Sequence, residues 1–219
     1  VEQSRTRHAG QVLRAHPSAI LLAGQLVVVL SWPFLDGSTP GRASLGVIQL
    51  LVVLSAVAAV RLTPALTWVA LLLGAPATVF AVWEAVSPGS DWVVLTSAIF
   101  HVPFYGFVSY AMIRYLFDDD RITRDEIFAT GAAFTVVAWG FAYLYAGVQV
   151  VWPGSFGPHR DWYELLFLSF STMSNTGLSD LVPSLGHARS VVMVEMVVGV
   201  FYIGLVIARI VGLAGRPRA

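Results

Sequence analysis

The chain has no cysteine, and none of its thirteen basic residues is lysine. Without thiols there is no disulfide framework, no thiol nucleophile and no cysteine-ligated metal. Charge of either sign is scarce: Asp, Glu, Lys and Arg make up 12% of 219 residues, about half the share of a soluble domain. The formal charge is zero, which gives nucleic acid no electrostatic footing. No His, Asp or Glu set converges at acid–base or metal-ligand spacing, so neither an enzyme nor a resident cofactor or small-molecule substrate is expected. What the chain does have is apolar residues, 57% of the total, with a mean hydropathy of +0.74. That composition belongs to an integral membrane protein.

Apolar runs bounded by charge, Pro or Gly predict six spans, over 18–35, 43–62, 64–86, 92–117, 127–150 and 187–213. Each is close to the roughly 20 residues that cross a bilayer. Val1–His16 is polar and basic, and the run after it lacks a small-residue cleavage pattern, so it does not read as a signal peptide. Arg61-Leu-Thr-Pro64 splits a long apolar run, its proline suiting a turn into a new helix. With both termini cytoplasmic, ten arginines fall inside and only Arg42, Arg160 and Arg189 outside, a positive-inside bias. Trp32, Trp83, Trp92, Trp152 and Trp162 then form an outer aromatic belt. The expected organisation is a four-helix region over 1–117, a charged cytoplasmic linker over 118–126 and a pore module over 127–219. Thr123 and Glu126 have capping-box spacing at the start of the fifth span. The fourth span holds one arginine, Arg114, where a voltage sensor needs a ladder. His101, mid-span among aromatics, reads as a packing histidine, and Glu84 as an interfacial residue.

Asp161–Met173 is different. Thirteen helical residues rise only about 20 Å, so the segment must enter and return on one side. It opens with Asp161 and Glu164 at capping-box spacing. The negative end of its dipole, near Thr172 and Met173, favours a cation. A hairpin follows, Asn175-Thr-Gly-Leu-Ser-Asp180, and then the last long apolar run. Such a hairpin can offer backbone carbonyls in place of an ion's hydration shell.

The hairpin resembles the potassium-channel signature Thr-Val-Gly-Tyr-Gly-Asp, of which Gly177 and Asp180 survive. Asn175 replaces the filter threonine, Leu178 the tyrosine and Ser179 the second glycine. A non-glycine residue at left-handed dihedrals costs about 1–2 kcal/mol, so Ser179 predicts an altered outer path. Asp180-Leu-Val-Pro183 resembles the outer-mouth Asp-x-x-Pro of bacterial potassium channels with two-helix pores. Arg189 and Gly199 fall where those channels carry an inner-helix arginine and a hinge glycine. The chain is also similar to bacterial ion-channel-family proteins with four helices before a two-helix pore, which the linker Ile122-Thr-Arg-Asp125 fits. The hairpin is similar, too, to the single-glycine filters of potassium transporters that carry four pore loops in one chain.

These resemblances imply an all-α membrane protein with six transmembrane helices, and a re-entrant pore helix and filter hairpin between the fifth and sixth. They imply a homotetramer in a bacterial plasma membrane. Its filter is Asn175, Thr176, Gly177, Leu178 and Ser179, with Asp180 at the outer mouth and K+ or Na+ as the permeant ion. The expected function is a cation channel of altered, weak selectivity, the alternative being a non-conducting channel-like scaffold or regulatory subunit. Glu195 is expected behind the filter, hydrogen-bonded by Ser171, Thr172 or Asn175. It is either a protonated carboxyl stapling helices or a carboxylate tuning the filter. Gly199 and Gly204 permit bending or close packing. Val200, Ile203, Ile207 and Val211, at helical spacing, are the expected pore lining.

Overall fold

A computed structural model of the chain describes residues 17–38, 64–87, 90–117 and 123–214, with positions 40, 41, 44, 45, 48 and 52 between the first two stretches. Within these residues run six helices: α1 (Pro17–Leu35), α2 (Pro64–Val86), α3 (Asp91–Leu116), α4 (Arg124–Val151), α5 (Trp162–Met173) and α6 (Gly186–Ala214). Four of them, α1, α3, α4 and α6, are long and apolar enough to cross a membrane. A shorter apolar stretch, Trp68–Glu84, lies within α2. The span expected over 43–62 lies outside the described residues apart from isolated positions, as does most of the linker expected over 118–126. Pro17 and Pro64 open α1 and α2, where the missing amide proton costs nothing.

Helix α4 is the hub, packing against α1, α3, α5 and α6. Its sequence explains that role. Ala129, Ala132, Ala133, Ala138, Ala142 and Ala146 are all buried. A Cβ on Gly140 or Gly147 would meet Tyr105 Cβ or Ala98 Cβ at 3.1 Å. Small residues on several faces let several helices approach closely.

Side-chain pairings fix the directions. Ser18 bonds Asp125 and Gln25 bonds the Ala132 carbonyl, each 107 residues apart, so α1 and α4 run parallel. Trp83 meets Trp92 while Phe80 meets Phe100, so α2 and α3 run antiparallel. His101 stacks on Tyr143 at 3.9 Å, and Tyr115 donates to Asp125, so α3 and α4 also run antiparallel. An aromatic cluster then binds the front helices to α5. Trp162 packs on Trp32, Trp139 and Tyr143, with centroids 5.2–5.6 Å apart, and Trp32 stacks on Tyr163. His101 is buried, its Nδ1 2.8 Å from the Ser97 carbonyl, which makes it the packing histidine expected. Glu84 is half-buried.

Candidate functional site

Helix α5 is twelve residues long, about 18 Å. Its first turn is built as the sequence predicts. Asp161 accepts from the Glu164 amide at 2.8 Å, and Glu164 accepts from the Asp161 amide at 3.0 Å. Arg160 braces this start, donating to Glu164 and, through its amide, to Gln149 on α4. The Asp161 carboxyl titrates above its ordinary value. Desolvation is the largest cause, and the Glu164 and Asp36 carboxylates add to it, against the amides of Glu164 and Tyr163.

From there α5 descends antiparallel to α4. Trp162 packs on Tyr143, Ser169 Oγ bonds the Ala138 carbonyl, and Phe170 packs on Phe134. Its last turn thus ends near the middle of α4. Residues 174–184 then climb back, and the Ser184 amide donates to the Ser155 carbonyl just beyond α4.

The end of α5 is closed by the backbone itself. Asn175 takes φ +57°; its amide donates to the Thr172 carbonyl, and that of Thr176 to the Ser171 carbonyl. These are the two bonds of a Schellman cap with a left-handed residue just past the helix, and asparagine tolerates that conformation. Gly177 follows at φ +65°. Ser179 is not among the positive-φ residues, so the outer strand of the hairpin departs from an alternating pattern at the position expected. Ser171 ties the turn together. Its carbonyl takes the amides of Thr176 and Gly177, and its hydroxyl takes the amide of Ser179 at 3.0 Å. Among the described residues no hydrogen bond ends on the carbonyls of 175–179. Asn175, Thr176, Gly177, Leu178 and Asp180 are exposed, and Leu178 is 74% so.

Helix α6 runs antiparallel to α4 and is fastened at four levels. Glu195 is 0% exposed. Its partners are Tyr145 of α4 and Ser169 of α5, which corrects the expectation of Ser171, Thr172 or Asn175. Two residues along the helix, about 200° of rotation, explain the difference. Ser169 lies in the apolar stripe with Trp162, Leu165 and Met173 that faces α4 and α6, while Ser171 faces the hairpin. A serine inside that stripe was the available signal. One turn below, a Cβ on Gly199 would meet the Met173 carbonyl oxygen at 2.3 Å. Gly199 therefore serves close approach of α6 to the end of α5, whereas Gly204 has open space around it. Tyr202 donates to the Thr130 carbonyl, and Arg209 reaches Glu126 at 3.2 Å. Glu126 thus completes only half of the expected capping box. Its amide bonds Thr123 Oγ1, but its carboxylate is spent on Arg209. Met193, Val197, Val200, Gly204, Ile207 and Val211 form an exposed stripe on the other side of α6, with Ile203 half-buried at its edge. Among the described residues no group of three His, Asp or Glu could hold a metal ion.

The described residues thus carry, in order, a long apolar helix, a twelve-residue helix, a turn and a second long apolar helix. Residues 131–214, from Gly131 of α4 through α5 and the hairpin to Ala214 of α6, match the family model described as Ion channel. The match supports an ion-channel function for this part of the chain. Comparisons with curated proteins and with solved structures give no match.

Proposed function

We propose that the chain is one subunit of a homotetrameric cation channel of potassium-channel architecture, with six spans and α5 re-entering between the last two. The observation that carries this reading is the set of five successive carbonyls, 175–179, without a hydrogen-bond partner among the described residues, inside a stretch matched to ion channels. Backbone acceptors at membrane depth need partners. Around an axis, four such hairpins give them permeant ions in place of hydration water. Six spans fit the parallel course of α1 and α4, which needs an odd number of crossings between them. The carbonyls of Ser171 and Thr172 are taken by the cap and that of Met173 abuts Gly199. The ion site therefore falls to the hairpin, with only the residual dipole of α5 behind it. Asp180 stands at the outer mouth, and the α6 stripe lines a greasy lower cavity.

Purified protein in lipid should run as a tetramer and pass K+ and Na+ in a vesicle flux assay. A monomer with no flux would overturn the reading. The second reading, a non-conducting subunit of the same architecture, draws on Leu178 and Ser179. An exposed leucine replaces the phenol that would hold the hairpin, and Ser179 leaves the left-handed pattern. A tetramer without flux in any monovalent cation would favour it.

A further inference from the structure

Glu195, Tyr145 and Ser169 sit on three different helices, and each is fully buried. Their oxygens belong to an unbroken chain of contacts. The Tyr145 phenol meets Glu195 Oε2, and Glu195 Oε1 meets the Ser169 hydroxyl. Ser169 Oγ in turn lies 2.8 Å from the Ala138 carbonyl oxygen. Each of these oxygen–oxygen contacts needs one proton between its partners. A serine or phenol hydroxyl has one proton to give, a backbone carbonyl none. Three contacts need three protons, and the two hydroxyls supply two. The third must sit on the carboxyl.

The end that can only accept sets the direction. Ser169 spends its proton on Ala138, so it must accept from Glu195. Glu195 then donates from Oε1 and accepts from Tyr145 at Oε2. An ionised Glu195 would leave one of the two Ser169 contacts without a proton. It would also be a buried charge whose two partners, a phenol and a serine, carry no positive charge.

We propose that Glu195 is a neutral carboxylic acid and a positioning residue, the central link of a one-way hydrogen-bond chain that fixes the height of α5 beneath the hairpin. The geometry connects the two. Ser169 is anchored by Glu195, and Ser171, two residues along the same helix, holds the amides of Thr176, Gly177 and Ser179. Sliding α5 along its axis would carry the hairpin with it. The inference concerns the same pore loop as the channel reading, but its tests need no conduction.

Infrared spectra of the wild-type protein at neutral pH should contain a deuterium-sensitive carboxylic-acid C=O band that Glu195→Gln removes. A glutamine offers one donor and one acceptor in the same places, so amide exchange at Thr176 and Gly177 should stay within twofold of wild type in this variant. Glu195→Leu keeps the volume and loses both bonds; exchange at those amides should quicken at least tenfold. Where Glu195→Leu does not fold, Tyr145→Phe removes the α4 donor to Glu195 and should quicken the same amides severalfold. Absence of any acid band lost in Glu195→Gln would overturn the neutral carboxyl. Wild-type exchange in the Leu or Phe variant would overturn the positioning role.

Discussion

At the scale of single residues, the hairpin is a negotiation over left-handed dihedrals. The potassium-channel comparison places them at two glycines. This chain keeps Gly177 and finds another in Asn175, whose amide also caps α5. Asn175→Gly should therefore be tolerated within a few tenths of a kcal/mol, while Asn175→Ala costs about 1 kcal/mol, because alanine keeps the Cβ but lacks the short polar side chain that eases asparagine into the left-handed region. Thermal unfolding in detergent reads the difference; an alanine variant as stable as wild type would remove the cap from the account. Gly199 gives a sharper test, because its neighbour is the Met173 backbone carbonyl and not a side chain that can swing away. Gly199→Ala should cost about 1–3 kcal/mol by overpacking and disturb the hairpin. Gly204→Ala, with nothing within 4 Å, should leave subunit stability unchanged. Equal effects of the two would mean that Gly199 bends α6 instead of packing it. The capping box at Asp161 was legible in the sequence because it is a local pattern of three residues. The partners of Glu195 were not, since the rotation of three helices about their axes decides which serine it meets.

Elements were legible wherever an apolar run met a charge, a Pro or a Gly. The bounds of α1, α2, α3, α4 and α6 fall within a few residues of the expected spans. What linear spacing could not reveal is how the carboxylate of Glu126 is used. Its place three residues after Thr123 suggested a reciprocal cap, but Arg209, 83 residues later, takes it instead. That ion pair is mostly buried, and the guanidinium also lies 5.3 Å from the centre of the Phe117 ring. It ties the last turns of α6 to the first turn of α4, where an opening pore would have to separate them. Removing one partner of a buried pair leaves the other uncompensated, a loss of about 3–5 kcal/mol. Arg209→Gln should therefore lower stability, and in reconstituted protein it should raise flux by freeing the inner end of α6. Glu126→Gln should do the same, and the double variant should cost less than the sum of the two. Additive losses would show that the pair is not coupled, and unchanged flux would show that it does not restrain the pore.

The described residues form a bundle in which α1 and α3 pack against α4, at the start of the stretch matched to ion channels. Trp32, Trp139, Tyr143 and Trp162 join α1, α4 and α5, so the half-length helix is held by aromatic packing as well as by its caps. The α6 stripe and the hairpin carry no partner from within the described chain, and in the proposed tetramer the same surface of other copies covers them. Ion choice in that assembly rests on how firmly the hairpin carbonyls are held at one spacing. In this hairpin the hold comes from inside the subunit, through the carbonyl and hydroxyl of Ser171. It ends at Ser179, because Leu178 points its apolar side chain into open space and bonds nothing behind it. Carbonyls fixed at one end and free at the other can close around Na+ as readily as they open around K+. The tetramer should therefore discriminate poorly, with K+ and Na+ fluxes within about an order of magnitude, a difference of about 1.4 kcal/mol. Leu178→Tyr combined with Ser179→Gly supplies a phenol that can reach back into the surrounding helices and a residue free to turn left-handed. That double variant should favour K+ by at least a further tenfold in paired flux measurements. Either substitution alone should achieve less, since the phenol needs the altered turn to face inward. A wild-type channel that already rejects Na+ by several orders of magnitude would show that neighbouring subunits, and not the subunit's own hairpin contacts, hold the outer carbonyls in place.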